Sequence, residues 1–171
     1  MSKNTKNEWV VKGVKTFEGH EGRGYNCNLY RNGKKVAFVF DDASGGEVMI
    51  DWVDHQKERV EFEFITFGGE KKTRKGTPEE KMLNEYLATL PSRDDHGFGD
   101  YYITDGIFIE ELVNDYEEKK WLKRQCYTKT LFTTPDCKKN EFRTVKAKFC
   151  EEVKKFILGK YPEAVILNET L

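Results

Sequence analysis

The sequence predicts an α+β fold: an N-terminal antiparallel β-meander of four to five strands, then two helices, a β-hairpin, a short helix and a candidate last strand. Three observations carry that prediction. Apolar and polar residues alternate from Trp9 to about Phe67, the period of a strand with one buried face. Apolar residues recur at helical spacing from about Asp105 to Gln125. Turn and cap residues punctuate the runs closely enough for neighbouring strands to pair.

Taken in order, GYNCNLYR turns Tyr25, Cys27 and Leu29 one way and Asn26, Asn28 and Tyr30 the other. Asn32-Gly33 then separates two such runs, and both residues tolerate the positive φ of a tight hairpin turn. The return strand KVAFVFDD ends at the turn signal ASGG, after which EVMIDWV directs Val48, Ile50 and Trp52 to one face. RVEFEFITF alternates most cleanly, with Val60, Phe62 and Phe64 inward. GGEKKTRKG reads as a basic turn, and TPEEKMLNEYLATLP as a helix: Thr77 caps, Pro78 suits the first turn, Glu80 completes a capping box and Pro91 stops it. SRDDHGFGDYYITDG is loop. In the long helix that follows, Phe108, Leu112 and Tyr116 recur beside Ile109 and Val113. YTKTLFTTPDCKKNEFRTVKAKF is expected to form two strands around a turn at Pro135 to Asn140. A short helix from about Cys150 to Leu158 is expected to stop at Gly159, and EAVIL supplies the last strand.

A chain of 171 residues carrying 23 aromatic side chains is long and bulky enough for one domain spanning 1–171, with a 1–67 meander and a mixed 77–171 region. Its longest apolar runs, VAFVF and AVIL, are too short for a bilayer span or a signal-peptide core. The expectation is a soluble protein of the cytoplasm with no membrane partner. Cys27, Cys126, Cys137 and Cys150 contain no CxxC pair and read as reduced thiols.

Charge is divided unevenly along the chain. Residues 1–118 hold 16 Lys/Arg against 24 Asp/Glu, a net of −8, whereas 119–160 hold 13 against 4, a net of +9. The leading candidates for nucleic-acid or partner contact are therefore Lys119, Lys120, Lys123, Arg124, Lys129, Lys138, Lys139, Arg143, Lys146 and Lys148. Lys154, Lys155 and Lys160 extend the run, and Trp121, Tyr127, Phe132, Phe142 and Phe149 are interleaved with it. Cations attract phosphates by counterion release, and aromatic rings accept unstacked bases. Two plainer readings compete. The lysines can solvate exposed faces above an aromatic core, or they can neutralise the acidic remainder of the chain.

The glycine-rich stretch EGHEGRGYN, from Glu18 to Asn26, is the other conspicuous feature. Its glycines at 19, 22 and 24 give the reverse of a dinucleotide fingerprint, and Gly24 opens a strand where a phosphate loop should open a helix. It is expected to be an exposed bend, with His20, Glu21 and Arg23 as a secondary contact surface. A catalytic rim of His20 and Glu21 with Asp41, Asp42, Asp51 and His55 would suit metal-assisted hydrolysis, although acids at hairpin ends ordinarily cap turns. No Walker loop or nucleophile elbow is present, and the histidines and cysteines are too scattered for a zinc pair. No cofactor or metal is expected, and no catalytic residue is assigned.

The segment GHEGRGYNCNLYRNGKKVAFVFDDASGGEVMIDW, with the later TKTLF, FRTVKAKF and KYPEAVILNETL, resembles small phage- and prophage-encoded proteins of unknown function. RVEFEFITFGGEKKTRKG departs from that pattern as an added strand and basic turn. The resemblance implies a bacterial host cell and no catalytic residue. It favours a non-enzymatic accessory factor whose basic region meets nucleic acid or an acidic partner. The alternatives are an inhibitor or adaptor of a host defence protein and, third, the His20/Asp41/Asp51 hydrolase.

Overall fold

The computed structural model describes residues 8–94, 97, 99–138 and 140–170, and the chain is α+β as the alternation and helical spacing require. Contacts divide it into two compact units, Met1–Tyr116 and Glu117–Leu171. The first unit thus runs past the 1–67 meander, and the division falls within the long helix.

In the first unit, β1 (Trp9–Gly19), β2 (Gly22–Arg31), β3 (Lys34–Asp41) and β4 (Met49–Trp52) form one antiparallel sheet in chain order. Asn32 and Gly33 take φ of 50° and 78°, giving the expected tight turn with Arg31 opposite Lys34. A bulge between Lys12 and Lys15 interrupts the β1–β2 register, and Gly13 sits in it at φ 65°. Trp9, Val11, Tyr25, Cys27, Leu29 and Val39 point to the buried side, where they meet Leu83 and Phe108 of the helices. Full burial of a large apolar side chain stabilises by about 1.5–3 kcal/mol, so this layer dominates the unit.

Two features of this unit differ from the sequence reading. RVEFEFITF does form a strand, β5 (Val60–Ile65), but it lies outside the four-stranded sheet. Its partner is the basic stretch expected to be a turn, whose second half is strand β6 (Lys71–Gly76). Glu61 stands opposite Lys75, and Arg74 lies over the rings of Phe62 and Phe64 at 5.5 and 4.6 Å. Pairing and cation–ring contact make a strand of residues with poor intrinsic strand preference.

Helix α1 (Pro78–Leu87) begins with the expected capping box: Thr77 Oγ1 accepts from Glu80 N at 3.1 Å, and Thr77 N donates to Glu80 Oε2 at 3.2 Å. Helix α2 (Asp105–Cys126) buries Phe108, Ile109, Leu112 and Val113.

The second unit contains the end of α2, a three-stranded sheet and helix α3 (Glu151–Lys160). In the sheet, β7 (Thr130–Thr133) lies between β8 (Arg143–Val145) and β9 (Val165–Ile166). The hairpin and the last strand are as expected. Helix α3 continues through Gly159, which was read as its stop, and closes at Tyr161. Phe132, Ile157 and Ile166 form the small core. Among the described residues no helix is long and apolar enough to cross a membrane.

Candidate nucleic-acid or partner interface

The second unit holds 13 Lys/Arg against 8 Asp/Glu, a net of +5, while the first holds 16 against 22, a net of −6. The last turns of α2 organise part of that excess. At 3.6 residues per turn, Lys119, Lys123, Lys120 and Arg124 occupy an arc of about 140° on the helix. All four are exposed. Trp121 borders this arc and is 43% exposed, while Leu122 turns away and is buried.

Two ring contacts tie this helix end to the strand region beyond it. Trp121 packs against Phe142 with ring centroids 5.3 Å apart, and Lys148 lies over the Tyr127 ring at 5.5 Å. These two contacts bring exposed Lys148 beside the end of α2, and exposed Lys146 lies two residues before it in the chain. Tyr127 is 76% exposed, so a large aromatic face stands among them.

The candidate cations differ in how far they are committed. Lys119, Lys123, Arg124, Lys138, Lys146 and Lys155 are exposed and make no ion pair among the described residues. Lys120 pairs with Glu117 at 3.7 Å, Lys129 donates to Gln125 Oε1 at 2.8 Å, and Lys154 to Glu169 at 2.6 Å. Lys160 lies over the Tyr161 ring at 5.5 Å. Lys139 lies outside the described residues.

Arg143 is half-buried and holds the β7–β8 turn together. Its Nη2 donates to Asp136 Oδ2 at 2.7 Å, Nε to Thr134 Oγ1 at 3.1 Å and Nη1 to the Tyr161 hydroxyl at 3.4 Å. Its guanidinium is thus committed within the unit. In the same turn, Cys137 Sγ lies 3.3 Å from the Thr134 hydroxyl and accepts from the Thr134 amide at 3.5 Å. These bonds from Thr134, helped by Arg143, hold the Cys137 thiol below the ordinary cysteine range. An open cleft of about 440 Å³ adjoins it, lined by Leu122, Thr134, Cys137, Lys138, Phe142 and Leu167 among others. Sequence reasoning missed this cluster; the Thr134-Pro135-Asp136-Cys137 spacing at a turn was its available signal.

The secondary surface lies in the first unit, at the tip of the β1–β2 hairpin. His20 and Glu21 are the two turn residues between Gly19 and Gly22, and both are exposed. Glu21 N donates to Ala43 O at 2.8 Å, which docks the tip on the loop after β3. A Cβ at Gly19 would collide with Ala43, and one at Gly24 with Phe17 and the Asp41 carbonyl, so close approach explains two of the glycines. Arg23 donates to Asn114 Oδ1 of α2 at 2.9 Å.

The acidic rim is not gathered into one site. Asp41 pairs with inward-facing Tyr25, and its Oδ1 accepts from Ala43 N at 2.8 Å. Asp51, opposite Phe38, is exposed on the other face. Asp42 caps Ser44 through its amide and hydroxyl, and His55 Nδ1 lies 2.9 Å from the Trp52 carbonyl oxygen. These are turn interactions. Among the described residues no three His, Cys, Asp or Glu side chains are grouped to hold a metal ion. No family model, curated protein or solved structure matches the chain.

Proposed function

We propose that this protein is a non-enzymatic accessory factor that binds nucleic acid through its second unit and works in the cytoplasm of a bacterial cell, as a phage or host product. The observation that carries the reading is the exposed band of Lys119, Lys123 and Arg124 on α2, with the aromatic faces of Trp121 and Tyr127 beside it and Lys146 and Lys148 on the neighbouring segment. Phosphates meet the cations, and the rings add a surface for unpaired bases. A charge excess confined to one unit of a chain whose overall charge is −1 supports a localised contact over a general coat.

The test is a salt titration of binding to labelled duplex and single-stranded oligonucleotides. Log affinity should fall linearly with log salt, at about 0.9 per duplex phosphate contact and about 0.7 per single-strand contact. The triple variant Lys119→Gln, Lys123→Gln, Arg124→Gln should bind more weakly and reduce that slope. Absence of binding to DNA and RNA at low salt would sink the reading.

A second reading, an inhibitor or adaptor of an acidic host defence protein, is favoured by Phe156 and Val165, which are 64% and 54% exposed in the same basic unit. Apolar anchors rimmed by cations suit an acidic protein surface. Capture of one bacterial protein that survives nuclease treatment, and is lost in Phe156→Ser, distinguishes this reading from the first.

A further inference from the structure

The four-stranded sheet of the first unit has a second face. Along β3 the outward positions after Lys35 are Phe38 and Phe40, where an antiparallel sheet with one wet side ordinarily places polar residues. Phe38 is 39% exposed, and Met49, opposite Phe40 on β4, is 63% exposed. Tyr30 stands outward on β2, and Phe17 of β1 stacks on Phe40 with ring centroids 5.9 Å apart at 27°. Two side-chain amides, Asn26 and Asn28, share the outward side of β2 with Tyr30; Asn28 lies opposite Phe38 and Asn26 opposite Phe40.

The charge of this face opposes that of its unit. The unit is net −6, yet register places Lys12, Lys15 and Lys35 outward against one acid, Asp51. Lys12 Nζ sits 4.6 Å from the centroid of the Tyr30 ring, so cation and aromatic adjoin. A surface that pairs flat rings with amide donors and acceptors and rims them with cations complements a polyanion bearing exposed planar groups. A duplex keeps its bases stacked inside; a single strand offers them. Successive outward positions on a strand are about 6.6 Å apart, so Phe38 and Phe40 can each receive a ring.

We propose that the outward face of the β1–β4 sheet is a stacking platform for single-stranded nucleic acid, in which Tyr30, Phe38 and Phe40 take unpaired bases and Lys12, Lys15 and Lys35 take phosphates. Asn26 and Asn28 meet base edges. The platform is built from residues of the first unit alone.

The test uses the full chain and a mixed-sequence single-stranded 20-nucleotide probe, as DNA and as RNA. Photo-crosslinked peptides should contain Tyr30, Phe38 or Phe40. Phe38→Ala should weaken binding roughly tenfold, and Phe38→Trp should retain it. Lys12→Gln with Lys15→Gln, a surface change that spares the core, should weaken binding and reduce its salt slope. The triple variant at Lys119, Lys123 and Arg124 should leave the sheet crosslinks in place, which separates this proposal from the one above. Crosslinks confined to Trp121 and Tyr127, or unchanged affinity in Phe38→Ala and in the double lysine variant, would overturn it. A change in sedimentation with unchanged oligonucleotide binding would also overturn it, by assigning the face to self-association.

Discussion

The two units are held together by different means. The first buries eighteen residues in one apolar cluster; the second buries Phe132, Ile157 and Ile166. What the second lacks in apolar core it supplies with polar side chains. Asn168 alone accepts from Leu131 N at 2.8 Å and donates to the carbonyls of Lys129 and Cys126 at 2.9 and 3.1 Å. It joins β7, the end of α2 and the closing 3-10 turn at Leu167–Glu169. A small unit that must leave its cations in water can be fastened by hydrogen bonds of this sort.

Leu29→Ala should set the two units furthest apart in stability. Leu29 is fully buried in the first cluster, and removing its side chain should cost about 2–5 kcal/mol. Hydrogen exchange should accelerate through β1–β3, with residues 117–171 less affected. Next comes Asn168→Ala, which orphans the Leu131 amide and two carbonyls and should cost about 2–3 kcal/mol. Here the loss of protection should fall on residues 126–170. Asn168→Asp, which keeps the acceptor but sets a carboxylate oxygen against two carbonyl oxygens, should cost at least as much as Asn168→Ala; equal stability of all three would show that the apolar cluster suffices.

Cys27 of the first unit and Cys137 of the second are shifted in opposite directions. Burial pushes the Cys27 thiol from its ordinary 9.0 up to about 11. The folded chain keeps a proton there that the unfolded chain sheds, so this contribution is present below pH 9.0 and is lost as pH rises towards about 11. Melting temperature should decline over that window, and Cys27→Ala should make the decline shallower. Tyr25, whose phenol burial also raises, adds its own loss at higher pH.

At Cys137, in the second unit, the shift is downward. Cys137 should react with iodoacetamide at neutral pH ahead of Cys27 and of Cys126, which burial raises. Thr134→Val removes the hydroxyl and should slow labelling at Cys137, read by peptide mass spectrometry, with little change in melting. Labelling of Cys137 no faster than of Cys126 would refute the role given to Thr134.

Much of the fold was legible because local signals and tertiary demand agree. Asn32-Gly33 fixed one hairpin, the Thr77/Glu80 box fixed the start of α1, and inward alternation picked out Tyr25, Cys27 and Leu29. Strand β6 was hidden because Lys71, Lys72 and Lys75 have no strand signature until β5 pairs with them. Sheet membership of β5 was hidden because alternation names a buried face without naming the neighbour. Gly159 misled as a stop signal; the helix carries it for one more residue. Among the contact candidates, helical spacing revealed the α2 band, but residue type alone could not show that Arg143 holds a turn. Alternation turned Tyr30 away from the row of Tyr25, Cys27 and Leu29, but composition along the chain could not show that pairing of β2 with β3 brings it onto one face with Phe38 and Phe40.

The bulge in β1 bears on how this molecule behaves among its own kind. Strand β1 is eleven residues long and forms one border of its sheet. An unbroken border of that length would invite a strand from another chain. Gly13 and the skipped pairing between Lys12 and Lys15 twist that border out of line partway along, so a visiting strand finds no continuous template. A single residue with φ of 65° thereby interrupts the regular border that edge-to-edge pairing of strands would need.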